Sequence, residues 1–343
     1  MTIITDDNIK DLVKKYINDK NLLPKDLLEK QINDWNVSQV TDMYQLFMDY
    51  ANFNEPLDKW NVSNVVNTGA MFMGCTKFNQ PLNKWNVSNV DFMDEMFMGC
   101  TKFNQPLNWD VSNVTEMISM FDGCTEFNQP LNWNVSKVDN MEAMFMGCTN
   151  FNQPLKWDVS NVTNMAAMFK GCTKFNKPLN WKVTNVINMN EMFMDCTEFN
   201  QRLYWDVSNV TEMIAMFMGC IKFNQPLRWE VTNVTDMEAM FMGCTNFNQP
   251  LNWDVTSVTN MKNMFNGCTE FDQDLTGWVP VSIEDFSDIF ENCIIAEIHK
   301  PNFRINTDQR IDTMQIHRES GNCLLYTSPS PRDRTRSRMP SSA

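Results

Sequence analysis

Histidine is almost missing from this chain, with only His299 and His317 in 343 residues. The commonest general base is therefore absent from most of the length, and no candidate nucleophile has a base beside it, so the chain is expected not to be an enzyme. Basic residues are also scarce, 28 against 42 acidic ones for a formal charge of -14. That balance excludes the cationic footprint that nucleic-acid binding needs. No stretch approaches the roughly 20 consecutive apolar residues of a membrane span. The opening MTIITDDNIKDLVKK lacks the apolar run of a secretory signal, so as written the chain is expected in the cytosol. Glycine (11) and tyrosine (5) are few beside 11 tryptophans, 24 phenylalanines and 28 methionines. So lopsided an inventory points to one motif copied many times.

The copies are explicit. All the tryptophans keep one register, Trp35, Trp60, Trp85, Trp109 and onward to Trp253 and Trp278, at spacings of 24 or 25. Cysteine follows from Cys75 to Cys293, with Tyr50 in its place in the first unit. The unit reads W-[DN]-V-[ST]-N-V-T-x-M-x-x-M-F-x-G-C-T-x-F-N-Q-P-L-N. In the copy at Trp109, Leu107, Trp109 and Val111 alternate with Asn108 and Asp110, which predicts a short half-buried strand. Val114, Met117, Met120, Phe121 and Cys124 then gather on one helical arc, with Ser112 placed to cap it and Gly123 to end it. Phe127 returns to the core, Pro130 marks an extended approach outside any central ladder, and Asn128 is placed to bond the backbones of neighbouring coils. The expected fold is an α/β solenoid of about ten stacked coils, each with a short parallel strand and a short helix, covering residues 35–277.

The ends read differently. Residues 1–34 carry a cap, with a helix over Asp7–Lys20 that buries Ile9, Leu12, Val13, Tyr16 and Ile17. Residues 278–300 form a degenerate last coil, in which Trp278, Ile283, Phe286, Ile289, Phe290 and Cys293 keep the register. Residues 301–322 carry no readable pattern. Residues 323–343 break from everything before them: CLLYTSPSPRD reads as one frame through a common transposase sequencing adapter and SRMPSSA as a frame through the matching index primer. This tail, with Cys323, is set aside from fold and function, and the natural C-terminus is expected to differ.

The WDVSNVTxMxxMFxGCTxFNQPLN unit, from Trp35 to about Cys293, resembles the repeat of the BspA-like leucine-rich-repeat surface proteins, the type also found in mycoplasma lipoproteins. The resemblance implies a right-handed leucine-rich-repeat solenoid that serves adhesion or protein binding. It names no ligand, and this chain shows no lipobox or wall anchor.

Three features invite a functional reading. The cysteine ladder reads as small buried hydrophobes, with disulfides or a metal as the alternatives, and zinc-type CxxC spacing is absent. Met73, Met98, Met146, Met194, Met218 and Met242 form a second column, either an exposed apolar stripe or residues folded inward by a distorted turn. Lys156, Lys182, Tyr204, Arg228 and Glu230 depart from the Asn/Asp rule at outward positions, and Arg202 replaces the usual proline. Stacking gathers these into a basic, aromatic patch, the composition of binding hot spots, or they reflect neutral drift. The function expected is a non-enzymatic protein-interaction scaffold, without cofactor or metal. The alternative is a surface adhesin or glycan binder. The partner is a protein or a glycan, not a nucleic acid.

Overall fold

The computed structural model describes residues 2–303; residues 301–303 close the described chain, while Arg304 onward, with His317, Cys323 and the rest of the 301–343 reading, lies outside the described residues. The cap holds helix α1 (Ile9–Asn18), a 3-10 turn (Lys20–Leu22), a one-turn helix α2 (Lys25–Leu28) and a second 3-10 turn (Ile32–Asp34). Helix α1 buries Ile9, Leu12, Val13 and Tyr16, and Ile17 packs half-buried beside them, as the amphipathic spacing predicts. Asp6 accepts hydrogen bonds from the Thr41 N–H and hydroxyl, which ties the cap to the first coil.

From Trp35 onward the chain winds into stacked coils. Parallel bridges run from Asp42 to Asn67, Phe92, Glu116, Asn140 and on to Asp285, one residue per coil. No longer strand forms among the described residues. The bridge falls at Glu116, not within Leu107–Val111. The alternation there is nonetheless real in burial, since Leu107, Trp109 and Val111 are buried while Asn108 and Asp110 are exposed.

The predicted helix over Val114–Cys124 is also absent. Its N–H groups divide between two jobs. Those of Met117, Ser119, Phe121 and Gly123 donate to the carbonyls of Asn140, Glu142, Met144 and Met146 in the next coil. Those of Met120, Asp122 and Cys124 close three-residue turns on Met117, Ser119 and Phe121. An α-helix consumes every N–H inside its own segment, and stacking claims half of them first. Two left-handed residues, Ser119 (φ 52°) and Gly123 (φ 71°), make the alternation possible, and each breaks a helix. Gly123 therefore adopts the predicted conformation. Ser112 caps nothing; its own N–H is taken by the Asp110 carboxylate at 3.1 Å.

The inward side chains stack in columns. Phe121 lies 5.7 Å from Phe145 and 4.3 Å from Phe127, and Trp109 is 6.4 Å from Trp133 with the rings nearly parallel. Such offset contacts add about 0.5–1.5 kcal/mol each beyond burial. Polar groups are paired from coil to coil. The Trp133 indole N–H donates to the Leu107 carbonyl at 2.9 Å, and Asn128 Oδ1 accepts from the Asn152 N–H at 2.9 Å and the Gln153 amide at 3.1 Å.

Candidate interaction surface

The columns that face solvent are those the coil leaves over. The position before each tryptophan and the one after it both point outward, so Lys156, Lys182, Tyr204, Arg228 and Glu230 are all exposed, as is Arg202. Tyr204 is 77% exposed, the most exposed aromatic ring among the described residues. Arg202 braces it: one guanidinium nitrogen lies 3.2 Å from the Tyr204 hydroxyl and Nε lies 3.4 Å from the Gln225 carbonyl oxygen of the next coil. That contact holds the guanidinium firmly protonated. The structure thus joins Arg202 and Tyr204 directly. Lys156, Lys182, Arg228 and Glu230 are exposed on the same face, on the coils of Trp157, Trp181 and Trp229, without hydrogen bonds to one another.

The recurring carboxylates beside the tryptophans have a local task. Asp206 accepts from both the N–H and the hydroxyl of Ser208, which hold it below the usual carboxylate range, and Asp110, Asp158 and Asp254 repeat the arrangement with the N–H of the residue two positions on. Each closes a turn at the exit of the Trp segment.

The cysteines occupy the interior. Cys75 to Cys268 are fully buried and free, and each thiol donates to a phenylalanine carbonyl of the preceding coil, Cys124 Sγ to Phe97 at 3.0 Å for example. Burial pushes the Cys75 thiol up to about 12 and the deeper ones higher still. A thiol so placed is a poor nucleophile and a poor metal ligand. Among the described residues no group of three or more His, Cys, Asp or Glu side chains is arranged to hold a metal ion.

The methionine column is neither fully outward nor fully inward: Met73, Met98, Met146, Met194, Met218 and Met242 are all half-buried. Their column borders the segment of overlapping turns, a face that sequence periodicity assigned to a helix. Carboxylates cluster on this face. Asp94 takes the Ile118 N–H at 2.9 Å, and burial raises its pKa to about 6 despite that bond, with Glu116 and Glu95 adding to the rise. Asp122, in the methionine place of its coil, is also raised to about 6, by burial and then by Glu95. His299 lies beside Asp272, Nδ1 to Oδ1 at 2.8 Å, where it fastens the last coil. No helix of the described residues is long and apolar enough to cross a membrane.

Stacked coils with one bridge each and a continuous core define a solenoid repeat protein. The sequence profile of the family described as "Mycoplasma protein of unknown function, DUF285" matches residues 19–132, 107–204, 131–228 and 203–303, and the chain belongs to that family. The overlapping matches span the cap's end and every coil. Among solved structures, a leucine-rich repeat protein from Bacteroides ovatus is similar at 13% identity, covering 78% of this chain and 88% of that one, with a TM-score of 0.36. No curated protein sequence matches the chain.

Proposed function

We propose that the chain is a non-enzymatic protein-interaction scaffold that binds its partner on the outward face between Trp157 and Trp253. One observation carries this reading. Tyr204 stands clear of the surface with its hydroxyl held by Arg202, which is itself anchored to Gln225 in the next coil. A braced aromatic ring beside a guanidinium loses little side-chain freedom on binding, and tyrosine and arginine are the residues that most often dominate interfaces. Lys182 and Arg228 are exposed on the coils either side of the pair and Lys156 one coil further, interspersed with the carboxylates of Asp158, Asp206 and Glu230. A partner with acidic side chains meets both features, and the stacked columns offer it a surface without loops to reorder.

The test is affinity capture with the full chain beside a variant carrying Lys182→Asn, Arg202→Asn, Tyr204→Asn and Arg228→Asn. Asparagine is native to the columns of Tyr204 and Arg228, as at Asn108, and of Lys182, as at Asn134, while Arg202 is itself a departure from proline on an exposed site, so the fold is expected to persist, and thermal unfolding checks it. Partners lost with the variant support the reading. Identical capture by both chains removes the patch as a site. Binding on a glycan array that depends on Tyr204 transfers the same site to a glycan-binding adhesin.

A further inference from the structure

We infer that the tryptophan face of the early coils is a sugar-acceptor surface, on which Asn36, Asn61, Asn86 and Asn134 are sites for N-linked glycosylation of the folded chain. Each opens an Asn-Val-Ser triplet, the pattern an asparagine glycosyltransferase reads through the hydroxyl two residues beyond the reacting amide. All four stand at the outward position after a tryptophan and are exposed. In each triplet the asparagine Oδ1 accepts the serine N–H at 3.2 Å. That bond occupies the oxygen, and Nδ2, the atom that reacts, has no hydrogen-bond partner among the described residues.

The fold does not demand asparagine at this position. Asp110, Asp158, Asp206 and Asp254 close the same turn with a carboxylate, which has no nitrogen to give. Lys182 and Glu230 stand there on two further coils. The acceptors are thus confined to coils one, two, three and five, and the Arg202 and Tyr204 pair lies beyond them along the stack.

Four other triplets supply a contrast within the chain. Asn113, Asn161, Asn209 and Asn233 each precede Val-Thr. Their Nδ2 atoms donate to the carbonyls of Ser88, Ser136, Thr184 and Ser208 in the preceding coil at 2.6 to 2.7 Å. The N–H groups of Thr115, Thr163, Thr211 and Thr235 donate to that coil as well. Presenting these amides to an enzyme breaks bonds between coils, whereas presenting Asn134 opens one local turn. The step itself is a substitution at the anomeric carbon of a nucleotide-activated sugar. Nδ2 bonds to C1, the C1–O bond to the diphosphate breaks, and one amide proton is released with the nucleoside diphosphate. Stacked coils lie about 4.8 Å apart, so sugars on Asn36, Asn61 and Asn86 crowd one another. Asn134 has aspartates, Asp110 and Asp158, on both neighbouring coils.

The experiment treats the folded full chain with a soluble Asn-x-Ser/Thr glycosyltransferase and UDP-glucose, and reads each site by peptide mass spectrometry. Tryptic peptides of the same chain are the unfolded reference, and circular dichroism checks the fold. All eight asparagines are expected to react in the peptides, but only Asn36, Asn61, Asn86 and Asn134 in the folded chain, Asn134 most completely. Ser136→Ala is expected to abolish reaction at Asn134, and Ser136→Thr to restore it. Asp158→Asn completes a triplet with Val159 and Ser160 and is expected to add one site. Equal reaction of both sets in the folded chain overturns the inference, as does a first set that stays bare while its peptides react. Peptides that stay bare overturn it too, since Asn-Val-Ser is then no acceptor sequence. If Asp158→Asn adds no site, position in the coil does not decide reactivity and the inference fails.

Discussion

A middle coil and a terminal coil contain almost the same residues and hold them by different means. Trp157 is stacked on both sides, 6.4 Å from Trp133 and 6.4 Å from Trp181, and its indole N–H donates to the Leu131 carbonyl at 3.0 Å. Trp35, in the first coil, has no preceding coil to accept its N–H, and its indole nitrogen is the one buried side-chain donor left without a partner among the described residues. Helix α1 covers it instead, with Tyr16 edge-on at 5.5 Å. At the far end, among the described residues, no α-helix plays that role: Val279, Val281, Ile294 and Ile298 are all at least 60% exposed, and the last coil is fastened by the Leu275 N–H to the His299 carbonyl and by Asp272 to His299. Identical side chains thus acquire their stability from neighbours, so position in the stack decides what a substitution costs.

The largest break in that comparison is a cavity in the middle. Trp157→Ala is expected to cost about 3–5 kcal/mol, read from denaturant unfolding, while Phe290→Ala in the half-buried last coil is expected to cost under about 2 kcal/mol. Equal losses would mean that the last coil is as well supported as the sixth. Next comes the buried acid that replaces methionine in the fourth coil. Asp122 has a folded pKa of about 6, above its ordinary value, so the folded state holds a proton that the unfolded state releases. Stability from this group therefore falls as pH rises from about 4 to 6 and stays lower above that. Asp122→Asn is expected to stabilise the chain by about 1–2 kcal/mol at pH 7, with the gain fading below about pH 4. A gain that persists at low pH would show that the amide's hydrogen bonding, not the loss of charge, sets it.

A smaller effect is expected at Asp195, which stands at φ 60° where most coils place glycine, its carboxylate lying over Gly219. Asp195→Gly should raise stability by about 1 kcal/mol by relieving the left-handed backbone. The finest comparison is between indoles. Trp157→Phe strips a made hydrogen bond and leaves the Leu131 carbonyl short of a donor, so it should lose about 1 kcal/mol more than Trp35→Phe, where no bond exists to lose. Parallel thermal melts of the two variants measure that difference.

Much of this architecture was legible in the residues, and the part that was not has one cause. The coil boundaries, the inward columns and helix α1 follow from the tryptophan register and from apolar spacing, since burial is what those patterns record. The helix expected over Val114–Cys124 fails because overlapping three-residue turns bring Val114, Met117, Met120 and Cys124 inward at intervals of three and four, the same intervals a helix uses. Hydrophobic period cannot separate the two. The left-handed residue at Ser119 leaves no consistent compositional trace, because other coils hold alanine, glutamate, glutamine, asparagine or aspartate there. At the surface, the outward position of Lys156, Lys182, Tyr204, Arg228 and Glu230 follows from strand-like alternation, whereas the Arg202 brace depends on a contact between coils that sequence does not display.

The rule that almost every coil meets the next through the same bonds, Met117 to Asn140 repeated at most junctions and Gly123 to Met146 at every one, carries a consequence for heredity. Because each junction is a simple translation, duplicating or deleting one whole repeat in the gene recreates junctions already present and demands no compensating change elsewhere. An insertion of one residue must instead find the segment that makes no such bonds. The first coils show where that is, with Asp58 and Lys59 between Leu57 and Trp60 where later coils place a single residue. Length in this chain is free to drift by whole repeats, and a binding face can be widened or narrowed by the same genetic event.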